Sequence, residues 1–142
     1  MTLRRQPPQG ERDLDALLRS MRPELREGEW VFVSVPAAPE GVSPLALFVE
    51  DEGVSLLLTR SEADAAGLEY SFVAAWITLR VHSALHAVGL TAAVSIKLAA
   101  AGISCNVIAT HFHDHLLVPY IKAQEAMEQL EQLAASASDD LP

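Results

Sequence analysis

With one cysteine, Cys105, in 142 residues, the chain cannot close an intramolecular disulfide, and a reducing, cytoplasmic setting is the default expectation. Basic residues are scarce. Ten Lys and Arg stand against nineteen Asp and Glu, for a net charge of -9. Arg4, Arg5, Arg12, Arg19, Arg22 and Arg26 crowd into the first 26 positions, so the remainder is strongly acidic. Nucleic-acid affinity comes largely from Lys and Arg displacing counterions, and this balance argues against such a partner. Long apolar runs are also missing. Arg80, His82, His86 and Lys97 interrupt the richest region, short of the roughly 18 residues that a bilayer span needs, so no membrane partner is expected. No glycine-rich loop cradles a phosphate, and Ser61 and Ser95 lack the flanking glycines of a hydrolase elbow. No cofactor is implied.

What is present is a packed core. Hydrophobic residues make up 50% and charged residues 20%, so the chain folds as one ordinary domain or two very small units sharing a core. Residues 1–10, with Arg4-Arg5 and Pro7-Pro8, carry no period and read as a mobile arm. Leu14, Leu17, Leu18 and Met21 follow one helix face, and Pro23 stops that helix. Trp30 to Val35 reads as a strand ending at Pro36. Leu45 to Glu50 and Val54 to Thr59 flank the turn signal Asp51-Glu52-Gly53. Ser61, Asp64 and Gly67 mark one capped helical turn.

From Glu69 to His82 the pattern is extended, with Ile77, Leu79 and Val81 on one face and Trp76, Thr78 and Arg80 on the other. A helix follows from Thr91 to Ala101, with Gly102 at C′ and Ile103 at C″ positioned for a Schellman ending against Leu98. Cys105 to Thr110 and His115 to Val118 are strands joined by a tight turn. Ala123, Ala126, Met127, Leu130, Leu133 and Ala134 repeat at helical spacing, and residues 136–142 read as a disordered tail. A strand, crossover helix and second strand about 20 residues on run parallel, which is the ferredoxin-like split βαβ order. The second half lacks the last strand of a βαββαβ unit, and the first half reads as the same unit without its first strand. The expected fold is therefore α+β, two layers. It comprises tandem, partly intertwined βαββαβ units over residues 11–73 and 74–135, with antiparallel sheets and helices on one face.

One corner is suited to hold a ligand. At Val88-Gly89-Leu90-Thr91 the chain turns from a strand into a helix whose first N–H groups lack intrahelical partners and sit at the positive end of the dipole. Gly89 permits close approach, and Thr91 can cap or donate. Asn106, between Cys105 and Val107, places an amide in an otherwise apolar strand.

The histidines attract a metal reading. His111-Phe112-His113-Asp114-His115 is one residue short of the H-x-H-x-D-H run of binuclear metallohydrolases, and strand alternation separates Asp114 from His111 and His113. A surface site at His113, Asp114 and His115, with metal-dependent hydrolysis, is the alternative if the turn breaks alternation. Cys105 as a nucleophile would need a thiolate and a base in reach, and a strand cysteine is more often a small buried residue.

The phrases Gly89-Leu90-Thr91-Ala92-Ala93-Val94 and Gly102-Ile103-Ser104-Cys105-Asn106-Val107 resemble the helix and "G-I-x-x-N" strand of ACT domains. From Glu11 to Leu133 the chain resembles small bacterial proteins of two ACT-like units, with Trp76-Ile77-Thr78-Leu79 and His113-Asp114-His115-Leu116 among the shared phrases. The resemblance implies a non-catalytic regulatory protein that binds a small molecule, an amino acid first among them, at a unit or subunit interface. The implied contacts are Val88, Gly89, Leu90, Thr91, Cys105, Asn106 and Val107. The loop His82-Ser83-Ala84-Leu85-His86-Ala87-Val88 departs from the family by offering no carboxylate or amide. A homo-oligomer, a dimer first, is the implied assembly, and a protein-interaction module built on Trp76 and open sheet edges is a second alternative.

Overall fold

The structure, a computed structural model, describes residues 13–81 and 89–138. The expected arm at 1–10, His82, His86, Val88 and the end of the tail lie outside them. Short helix α1 (Leu14–Ser20) leads into a 13-residue strand β1 (Pro23–Val35), followed by β2 (Ala46–Glu50) and β3 (Gly53–Thr59). Then come α2 (Arg60–Ala65), β4 (Val73–Leu79), α3 (Leu90–Ala100), β5 (Asn106–Ala109), β6 (Asp114–Pro119), a 3₁₀ turn at Tyr120–Lys122 and α4 (Ala123–Ser138). The six strands form one sheet in the order β2-β3-β1-β4-β6-β5, every neighbouring pair antiparallel.

Two ferredoxin-like units overlap in this sheet. In the second, β4 and β5 run the same way with β6 between them, the split βαβ that the sequence order requires. Its fourth strand is the first stretch of β1, where Pro23 to Arg26 pairs with Leu79 to Trp76. The register shifts between Arg26 and Trp30, and Trp30 to Val35 then opens the first unit beside Thr59 to Val54 of β3. The bulge thus divides one strand between two units.

This differs from the sequence expectation at two points. The first unit lacks a crossover helix, not a strand: residues 36–45, with Pro36, Pro39 and Pro44, run from β1 to β2 without one. The helix upstream, α1, packs its Leu17 and Leu18, with Met21 just beyond its end, into the core of the second unit. The stretch from Glu24 to Glu29 is also strand, although its charges conceal this. Leu25 turns to the core while Glu24 and Arg26 are exposed, and the bulge breaks the two-residue period that would reveal it.

The described α-helices all lie on one face. Ala75, Ile77 and Leu79 of β4 meet Val94 and Leu98 of α3 and Ala126 and Leu130 of α4, while Ala63 of α2 packs on Val31, Val33, Leu56 and Leu58. The opposite face carries its own cluster of Trp30, Leu57, Ala74, Trp76 and Leu117. Among the described residues no helix is long and apolar enough to cross a membrane. The end of α3 closes as expected: Gly102, at φ 72°, donates to the Ala99 carbonyl at 2.9 Å, and Ile103 donates to that of Leu98 at 2.9 Å. α2 is capped by Thr59, two residues before the expected Ser61, because the Thr59 side chain accepts from the Glu62 N–H at 3.2 Å. α4 continues to Ser138, past the point where the sequence suggests a tail.

Candidate functional site

The corner before α3 is built on Gly89. It takes φ 107° as the N-cap, with no side-chain cap and two residues before Thr91, and α3 begins at Leu90, one residue before the start expected from sequence. Ala93 N–H reaches the Gly89 carbonyl at 2.8 Å, so the N–H groups of Leu90, Thr91 and Ala92 precede the first intrahelical bond. Thr91 is exposed, whereas the Leu90 side chain is buried in the helix-side core. The space next to Gly89 belongs to α1: a Cβ there would lie 3.0 Å from Leu14 Cδ2. The glycine therefore admits a leucine at close range.

The strand half of the expected site is more dispersed. Cys105 and Val107 pack partly buried against the helix-side core, while Asn106 is exposed on the edge strand β5. The short connection from Ala101 to Cys105 ties Asn106 to the C-terminal end of α3, and Gly89 caps its other end. Eleven helical residues span roughly 16 Å. The register pairs Ala109, three residues further on, with Asp114 and through it with Leu79. Burial pushes the Cys105 thiol up to about 11, which keeps it protonated and unsuited to nucleophilic attack.

The histidine turn does not assemble a metal site. Thr110 and His113 close it, with the Thr110 N–H donating to the His113 carbonyl at 3.0 Å. Alternation in β6 puts Leu116 and Val118 in the helix-side core, so the buried Asp114 faces that side and His115 faces the other. His113 and His115 stay 6.4 Å apart between ring centres. Among the described residues no group of three or more His, Cys, Asp or Glu side chains could hold a metal ion.

Instead, His115 belongs to an aromatic and cationic cluster that sequence reasoning did not assemble. Trp76 Nε1 donates to His115 Nδ1 at 3.1 Å, and Thr78 Oγ1 lies 3.0 Å from the same nitrogen. An Nδ1 that accepts an indole N–H holds no proton, so the imidazole is neutral with hydrogen on Nε2. Burial, then the charges of His113 and Arg26, lower its pKa from 6.5. Trp76 meets Trp30 edge to face at 5.0 Å, and the Arg26 guanidinium lies 5.3 Å from the Trp30 ring centre and 4.8 Å from that of Trp76. Trp76 is only 6% exposed, so it is no protruding anchor for a partner protein. The one sequence hint was the bracketing of Leu25 by Glu24 and Arg26, with Trp30 beyond the bulge.

Two ACT-domain family models match the chain in tandem, over residues 9–75 and 71–132. The chain belongs to the ACT-domain family. The two ACT matches overlap at the start of β4, a strand that both units use. A Vibrio cholerae protein described as of unknown function and a possible transport protein is 48% identical, with a TM-score of 0.78, covering 85% of this chain and 95% of that one. The fold is shared with an Agrobacterium tumefaciens protein at 16% identity (TM-score 0.65, covering 80% and 89%). It is also shared with the regulatory subunit of aspartate kinase from Thermus flavus at 12% identity (TM-score 0.56, covering 80% and 96%). No curated protein matches the sequence significantly.

Proposed function

We propose that this tandem ACT protein is a cytoplasmic, non-catalytic regulator that binds a small molecule, an amino acid first among the candidates, at a unit or subunit interface. The observation that carries this reading is the start of α3. Its uncapped N–H groups at Leu90 to Ala92 and the exposed Thr91 hydroxyl offer donors to a carboxylate, in a chain whose two units are both ACT domains. The proposed contacts are Val88 to Thr91 and Cys105 to Val107. Asn106 stands apart from the corner along β5, which suits a ligand shared across an interface better than one enclosed within a unit. A homodimer is part of the proposal, supported by the edge strand β2, whose Leu47, Phe48 and Val49 are exposed.

Binding would act by favouring the conformation or assembly that holds the ligand. Thermal-shift titration with the twenty amino acids tests this directly. A ligand present at 100 times its Kd raises stability by about 2.7 kcal/mol, which moves the melting point by several degrees. One amino acid is expected to do so, and Thr91→Ala to reduce the shift. A melting point indifferent to all twenty at millimolar concentration rules out amino-acid sensing.

A further inference from the structure

The open sheet face contains a small cavity of about 150 Å³ lined by Glu24, Arg26, Thr78, Arg80 and His115. The register explains why these side chains meet: Glu24 pairs with Thr78, and Thr78 with His115, placing three strands' residues in one row. Arg26 pairs with Trp76 in the next row. The polar groups are not equivalent. Arg80 is committed to Glu24, with Nε 2.8 Å from Oε2, and the Arg80 hydrogen bond holds Glu24 below the usual carboxylate range. Thr78, 7% exposed, and the Trp76 indole are committed to His115.

Of the two cations lining the cavity, Arg26 is the one without an ion pair among the described residues, acting on Glu24 only through space. Among the described residues its guanidinium forms no ion pair, whereas Arg60 is bound to Glu29 and Arg80 to Glu24. It lies over two indoles, a contact that engages the face of the cation. The N–H groups at the guanidinium edge then remain for a planar acceptor. The Trp30 Nε1 group below it is likewise buried without a hydrogen-bond partner among the described residues. With one free cation, a pair that cancels and a neutral imidazole, the cavity carries one net positive charge on a chain of net charge -9. A cavity of this size takes a molecule of about benzene's dimensions.

We propose that this face is a binding site for a small monocarboxylate, held by bidentate hydrogen bonds from Arg26 with the Thr78 and His115 row as its floor. A planar carboxylate matches the guanidinium fork. A phosphate dianion would bring a second negative charge beside Glu24 that nothing in the cavity neutralises. This site lies on the sheet face opposite the helices, so it is separate from the corner at Gly89 and stands or falls independently of it.

The chain's two tryptophans, Trp30 and Trp76, are the residues Arg26 covers, so intrinsic tryptophan fluorescence reports on this site. Propionate titrated at constant ionic strength against chloride is expected to change the emission saturably at millimolar concentration. Arg26→Gln should abolish the response, Arg26→Lys should weaken it several-fold by removing the fork, and Asn106→Ala should leave it intact. Chloride matching propionate, phosphate exceeding it, or an unchanged response in a folded Arg26→Gln protein overturns the proposal. Should Arg26→Gln fail to fold, the two indole N–H resonances of the wild-type protein decide. Saturable shifts of both with propionate support the site, and static resonances refute it.

Discussion

His115 shows how one side chain's protonation is governed by its neighbours. Its Nδ1 must stay bare to accept the Trp76 N–H, while burial and the nearby His113 and Arg26 charges disfavour imidazolium. The folded pKa therefore lies below the ordinary 6.5. Below that pH the unfolded chain binds a proton that the folded chain refuses, so stability falls as pH drops from about 6.5 toward the folded value and is fully present above it. Urea midpoints between pH 7.5 and 5 should decline more steeply for the wild type than for His115→Gln, whose amide can accept the indole bond without titrating. Parallel curves would remove His115 from the acid sensitivity of the fold. Little of this was readable in the sequence, where His115 looked like part of a histidine turn. Its partners Trp76 and Thr78 come from a strand nearly 40 residues earlier.

At the scale of elements, α1 and α3 are coupled through Gly89, and α4 depends on a single apolar stripe. Gly89→Ala would force a side chain into φ 107° and against Leu14 Cδ2, 3.0 Å away, with an expected loss of about 1–3 kcal/mol in a urea melt. Leu130, fully buried between α4 and the sheet, is a heavier loss: Leu130→Ala leaves a cavity and should cost about 2–5 kcal/mol. Element identity was largely legible. Leu98, Gly102 and Ile103 announced the Schellman ending, and the alternation of Ile77, Leu79 and Val81 announced the core face of β4. The first stretch of β1 was not legible, because Glu24, Arg26, Glu27 and Glu29 mask its single inward residue, Leu25. Asn106 reads as an amide buried in an apolar strand and in need of partners, yet the strand that carries it is a sheet edge and its amide is exposed.

Across the whole molecule, the two ACT units share strands. β1 supplies the fourth strand of the second unit with Pro23 to Arg26 and the first strand of the first unit with Trp30 to Val35, and β4 lies in both. The cores inherit this sharing, since α1 at the start of the chain packs with α4 at its end. Unfolding should accordingly be one cooperative transition, with circular dichroism and tryptophan fluorescence giving coincident curves. A fragment of residues 68–142, which lacks α1 and β1, should show the collapsed amide dispersion of an unfolded chain. A well-dispersed spectrum from it would mean that the shared strand is dispensable.

The sequence alone determined most of the helices and strands and the ACT family, because helical and strand periods, capping residues and the phrases around Gly89 and Asn106 are properties of neighbouring residues. Tertiary structure alone decided which unit α1 serves, how one strand is shared by two units, and which charges face one another. Arg26 among six early arginines has no distinguishing local feature. Only the pairing of β1 with β4 across a bulge lays its guanidinium over two indoles, with no ion pair to it among the described residues.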